Sequence, residues 1–170
     1  MCKYKNVCFI GHRKIKVTKK LTDELTALIK TLINDGASNF IFGSHSQFDD
    51  LCYQIVSDLQ KQHPRIKRVH YCVAYENYSN AGLNLYEQEI DCESAIAAAK
   101  NSYIVRNQMM IDSSDVCVFY YDENYQPPQR KCSKYDLTTH QSQSGTAIAF
   151  QYAKNKNKVI MNIGEKNELN

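Results

Sequence analysis

Two short apolar runs that each end at a glycine, with an amphipathic stretch after each, constrain this chain more than any other feature. Asn6 to Ile10 (NVCFI) runs into Gly11, and Phe40 to Phe42 runs into Gly43. Between them Leu21, Leu25, Leu28, Ile29, Leu32 and Ile33 recur at three-to-four spacing, the signature of one apolar helix face, with Thr18 placed to cap its start and Gly36 to close its end. After Gly43 a second such face, Leu51, Ile55, Val56 and Leu59, stops before Pro64, and a third strand follows over Val69 to Tyr75. Short buried strands alternating with helices of about four turns indicate parallel strands joined by crossover helices.

The second half continues the alternation less evenly. GLNLYEQEID reads as helical, whereas ESAIAAAK suits either an alanine-rich helix or a short buried strand followed by a turn. A helix resumes at Tyr103 and carries RNQMMID. DVCVFYYD, rich in β-branched and aromatic residues, is the strongest strand in the chain. Residues 122–143 hold two adjacent prolines and no periodicity, the composition of a long loop or lid. Thr146 to Lys156 reads as a helix, Lys158 to Ile163 as a last strand, and 164–170 as a frayed tail. The fold class expected is α/β, with a mostly parallel central sheet flanked by helices. Residues 1–170 are expected to form a single domain with its core over 5–163, since 170 residues leave little room for two.

Composition excludes several classes. No run of about 18 apolar residues is present to span a bilayer, and MCKYKNVCFIGHR lacks the order of a signal peptide, so no membrane partner and a cytoplasmic location are expected. Seven cysteines are scattered without a CxxC pair, mostly inside apolar runs, which argues against a metal site or a disulfide framework. The formal charge of +3 is modest, although Arg13 to Lys20 and Lys61 to Arg68 are locally basic. Without a basic arm, that balance argues against nucleic acid as a partner.

In an open parallel sheet, ligands bind beyond the carboxyl ends of the strands. The chain places GHR (Gly11, His12, Arg13) after the first strand and GSHSQFDD after the second, the latter with Gly43, Ser44, His45, Ser46, Phe48 and Asp49. SGT (Ser144, Gly145, Thr146) opens the last helix. Glycines let backbone amides approach an anion, and a helix N-terminus supplies partial positive charge. The same small residues are also ordinary turn chemistry, Asp49 suits a helix cap as well as a ribose contact, Arg13 suits a solvent-facing turn as well as a phosphate fork, and Arg106 suits a surface salt bridge to Asp112 or Asp115.

Taken in order, CFIGHR, FGSHSQFDDLCYQIVSDL, YIVRNQMMIDSSDVCVFYYD and SGTAIAFQYAKNKNKVIMNI resemble the SLOG superfamily of Rossmann-like proteins, in particular its small YpsA-like bacterial members. The likeness covers about residues 5–163. It implies a three-layer Rossmann-like domain and a nucleotide site built from the GHR turn, the GSHSQFD loop, Arg106 and Asn107 of the RNQMM helix, and the SGT turn. The superfamily includes the Lonely Guy phosphoribohydrolases and the DNA-processing protein DprA. In the former, an arginine matching Arg106 and a glutamate in PGGxGTxxE cleave the N-glycosidic bond of a nucleoside monophosphate. Here Ala149 stands where that glutamate belongs, and Gln143 and Ser144 replace the double glycine.

An alanine cannot act as acid or base. The leading expectation is therefore a binding protein for a nucleotide or nucleotide-derived small molecule, with no cofactor and with self-association through helix faces. The alternative is an N-glycosidase or nucleoside-transfer enzyme using Arg106 and another acid, with Asp49, Asp122, Glu76 and Glu87 as candidates. Single-stranded DNA binding is the third and least favoured reading.

Overall fold

The computed structural model describes residues 3–43, 46–74, 92–97, 102–125 and 144–164. In chain order these form β1 (Asn6–Gly11), α1 (Lys19–Asn34), β2 (Asn39–Phe42), α2 (Gln47–Gln60), β3 (Lys67–Ala74), β4 (Cys92–Ala97), α3 (Ser102–Asp112), β5 (Val116–Tyr120), α4 (Gly145–Asn155) and β6 (Val159–Asn162). The strands make one six-stranded sheet in the order β4-β3-β2-β1-β5-β6. Every pairing is parallel, with Val7 opposite Phe40 on one side and opposite Val116 on the other.

Side-chain alternation along the central strands sorts the core into two layers. Val7 and Phe9 of β1, Phe40 and Phe42 of β2, and Val116 and Val118 of β5 face α1 and α2. Cys8, Ile10, Ile41, Cys117 and Phe119 face α3 and α4. Phe9 stacks on Phe42 at 5.2 Å and on Phe40 at 6.1 Å. The sheet lies between two helical layers, the Rossmann-like arrangement expected from the sequence.

The first helix forms as its spacing predicts. Leu21, Leu25, Ile29 and Leu32 are buried, Leu28 and Ile33 pack beside them, and the Thr18 hydroxyl accepts the Leu21 N–H at 3.2 Å. Such a cap stabilises by about 1 kcal/mol. At the other end Gly36 adopts a φ of 107°, where a side chain would be strained. The third strand begins two residues before the expected Val69, because Lys67 and Arg68 pair with Asn39 and Phe40. The ambiguous ESAIAAAK segment resolves partly into β4, which pairs with β3 from Val69↔Cys92 to Ala74↔Ala97. The helical reading of 82–91, most of the 122–143 loop and the tail from 165 fall outside the described residues. Among the described residues, no helix is long and apolar enough to cross a membrane.

Candidate functional site

The strand order reverses at β1. From there the chain runs through β2, β3 and β4 in one direction and through β5 and β6 in the other. Helix α1 follows β1 on one face and α4 follows β5 on the opposite face, so the connections part above the carboxyl ends of β1 and β5. A crevice at such a switch point is where open α/β sheets hold ligands.

Alternation then decides which residues reach which side. A Cβ at Gly11 would stand 2.4 to 2.7 Å from Phe48, so Gly11 is the flat spot on which this ring of α2 rests. Phe48 is fully buried in the α1/α2 core and also leans on Tyr120 at 5.6 Å. Ser46 caps α2 by accepting the Asp49 N–H at 3.1 Å, and Asp49 is itself 1% exposed. The nearby Cys52 thiol is pushed well above its ordinary range, first by burial and then by the Asp49 charge. Gln47 anchors the loop after β1, its N–H donating to Arg13 O at 3.0 Å and its side-chain oxygen accepting the Ile15 N–H at 2.9 Å.

Gly43 belongs to the other face. A Cβ there would stand 2.3 Å from Met110 Sδ, 3.0 Å from Arg106 Nε and 3.1 Å from Arg106 Cδ. The arginine stem therefore lies across the end of β2, with its terminal nitrogen donating to Asn107 Oδ1 at 3.3 Å. Neither Gly11 nor Gly43 has a positive φ. Both allow close approach of side chains, whereas the sequence suggested that they let backbone amides approach an anion.

His12 extends β1 by one residue, its N–H donating to Tyr120 O at 3.3 Å, and the alternation turns its ring to the α3/α4 side. The imidazole is 2% exposed. It stacks on Tyr125 at 3.8 Å, with Tyr121 tilted at 5.9 Å and Tyr120 edge-on at 6.5 Å. Tyr121 in turn stacks on Phe150 of α4 at 4.5 Å. His12 Nε2 lies 3.0 Å from Asp122 N and 3.2 Å from Asp122 O, so it accepts from the N–H in one tautomer and donates to the carbonyl in the other. Nδ1 is buried and has no hydrogen-bond partner among the described residues, an omission that costs about 1–3 kcal/mol. Burial holds the His12 pKa below its usual 6.5, against the opposing pull of Asp122.

The last wall is the start of α4. Ser144 caps it, accepting the Ala147 N–H at 3.1 Å, and Gly145 lies under the edge of the Tyr103 ring, 3.2 Å from where a Cβ would be. Tyr103 is 40% exposed, whereas Thr146 and Ala149 are buried. Ala149 packs in the α3/α4 core, so its side chain is part of the layer beneath the turn. The Asp122 carboxylate accepts the Asn124 N–H at 2.9 Å within its own turn.

The structure thus brings Gly43, Arg106, Asn107 and His12 to the α3/α4 side of the carboxyl edge, the side that also carries α4 and its Ser144–Thr146 turn. Gly11, Ser46, Phe48 and Asp49 belong to the α1/α2 side, and Arg13 is exposed between them. Ser44 and His45 lie outside the described residues, as do Glu76 and Glu87. Sequence reasoning missed Tyr103, Tyr121 and Tyr125. For Tyr121 and Tyr125 the density of tyrosines in VFYYDENY was the available signal, but only the parallel β1–β5 pairing places them around His12, whereas Tyr103 lies over Gly145.

The two basic stretches part company in the fold. Arg13, Lys14, Lys16, Lys19 and Lys20 are exposed along the connection that leaves the carboxyl end of β1. Lys61 to Arg68 leads into β3 and lies at the amino edge, where Arg68 is buried and donates to Tyr53 Oη at 3.1 Å and Ser57 Oγ at 3.0 Å. An open groove of about 630 Å³ at that amino edge, lined in part by Lys5, His63 and Arg65, is remote from the switch point.

No protein-family model matches the sequence, and no curated protein matches it. Among solved structures, the fold is similar to DNA processing protein A from Helicobacter pylori, whose structure was described for its single-stranded DNA binding mode. The TM-score is 0.58 at 17% identity, over 93% of this chain and 64% of the other, so this chain spans just under two thirds of that protein. The expectation that nucleic acid is not a partner is corrected by this likeness, because the same fold serves a single-stranded DNA-binding protein. A net charge of +3 does not describe one edge of the molecule, and Arg13, Lys14, Lys16, Lys19 and Lys20 are exposed together. At this identity the likeness establishes the fold alone.

Proposed function

We propose that the chain is one SLOG-like domain of the YpsA-like kind, and that its carboxyl edge binds the phosphate of a nucleotide or nucleotide-derived small molecule. The observation that carries this reading is Arg106 laid across Gly43, on the face where α3 packs against α4 and its capped N-terminus. A planar guanidinium beside the partial positive charge of a helix start suits a phosphate dianion. Binding is favoured over glycosidic cleavage because the position of the superfamily's catalytic acid is the buried methyl of Ala149.

A second reading is single-stranded DNA, favoured by the fold shared with DNA processing protein A and by the exposed Arg13–Lys20 stretch beside the site. Thermal shift with AMP, ADP, NAD and ADP-ribose tests the first reading. Ligand at about 100-fold its Kd stabilises by about 2.7 kcal/mol, or about 5–10 °C for a chain of this size. Anisotropy of a labelled oligothymidine over a salt series tests the second, since phosphate contacts make log affinity fall linearly with log salt. A panel of nucleotides without any shift refutes the first reading. Release of free base that is abolished in Arg106→Ala would overturn the preference for binding over catalysis.

A further inference from the structure

We infer that His12 is the neutral hydrogen-bond donor of this site, presenting its Nδ1–H to a phosphoryl oxygen of the bound nucleotide. The inference rests on the carboxyl-edge reading above and adds to it a specific atom and a proton state.

Nε2 lies 3.0 Å from Asp122 N and 3.2 Å from Asp122 O. The shorter contact is to a backbone N–H that can only donate, so we take Nε2 as its acceptor and place the ring proton on Nδ1. Tyr125 covers the ring at 3.8 Å, and Tyr120 and Tyr121 bound it. The imidazole is wedged in one orientation rather than free to turn its donor toward water. Ring position alone separates the roles: Nε2 holds the turn that follows β5, and Nδ1, on the ring edge nearest its own backbone, is the atom without a described acceptor. A buried donor is normally satisfied, so one left open where strands of an α/β sheet part reads as a contact completed by ligand. A phosphoryl oxygen fits better than a base atom because the surroundings favour an anion. Arg106 lies over the neighbouring β2, and α4 begins on the same face at its Ser144 cap, where the helix dipole is positive.

The two nitrogens can be tested apart. In His12→Gln the side-chain amide reaches the Nε2 position and its oxygen can accept the Asp122 N–H, but nothing replaces the Nδ1 donor. In His12→Asn the amide nitrogen falls near Nδ1 and the contact to Asp122 is lost. With AMP as one probe and oligothymidine as the other, calorimetric affinity should fall about 10- to 100-fold in His12→Gln, the loss expected for a hydrogen bond to a charged acceptor. His12→Asn should recover part of that loss although it gives up the Asp122 contact. The probe showing the effect identifies whether the phosphoryl group comes from a free nucleotide or from a strand.

Equal affinity of His12→Gln and wild type, for a probe that wild type binds, overturns the inference while leaving the phosphate site standing. Wild-type protein that binds neither probe overturns both. Should the variants fail to fold, nitrogen-15 spectra of the wild-type imidazole still decide. A protonated Nδ1 that shifts on addition of AMP or oligothymidine supports the assignment, and a proton on Nε2, or an Nδ1 signal indifferent to both, refutes it.

Discussion

Gly43→Ala tests whether the end of β2 is a packing surface for the arginine helix. The added methyl would stand 2.3 Å from Met110 Sδ and 3.0 Å from Arg106 Nε, against ordinary carbon contacts of about 3.5–4.0 Å. Arg106 needs to give by only a few tenths of an ångström, but Met110 must retreat by more than an ångström. Met110 is 1% exposed and packs in the layer that holds Ile111, Phe119 and Ala149, so it has no solvent to swing into. Overpacking of this kind costs about 1–3 kcal/mol, or several degrees in Tm at this chain length. Met110→Ala alone should cost about 2–5 kcal/mol through the cavity it leaves. In the double variant the new methyl enters the vacated space, so the two costs should fall short of additive by at least about 1 kcal/mol. Urea denaturation with an unchanged m-value is the assay. A Gly43→Ala protein as stable as wild type, or a cycle additive within about 0.5 kcal/mol, refutes the packing argument.

Arg106→Ala should weaken binding of any phosphate-bearing ligand by tenfold or more, and Arg106→Lys should restore it only in part, because a point charge replaces a fork; calorimetry measures both. Ser144→Ala removes the hydroxyl that caps α4 and should cost about 1 kcal/mol, read as a fall of about 2–4 °C in Tm. Burial lowers the His12 pKa from 6.5, so the unfolded chain takes up a proton before the folded one does as pH falls. Stability from this group is therefore complete above about pH 6.5 and is lost below it. Tm should drop more steeply between pH 7 and pH 5 in wild type than in His12→Gln, and identical slopes would contradict the assignment.

The parallel sheet and its helices were legible because Val7, Phe9, Phe40 and Phe42 sit in short runs bounded by glycine, while Leu21 to Leu32 keep a helical period. β4 was not legible, since alanines in ESAIAA satisfy a helix or a buried strand equally and only pairing with β3 decides. Of the site, the turns after the strands were visible as small and polar residues, but not the face each side chain takes. Phe48 and Gly11 read as loop residues near a ligand, and their mutual contact became clear only once α2 was laid on β1. The tyrosines around His12 are more than 100 residues away in sequence, and no local pattern announces such a contact.

Amide chemical-shift mapping of nitrogen-15-labelled protein, titrated with AMP and separately with oligothymidine, tests the carboxyl-edge site most directly. Shifts are expected at His12, Gly43, Arg106 and Ser144 to Ala147, with little change at Lys5, Ala37 and Ile66 on the amino edge. Perturbation confined to the amino edge, or none with either titrant, would contradict the account.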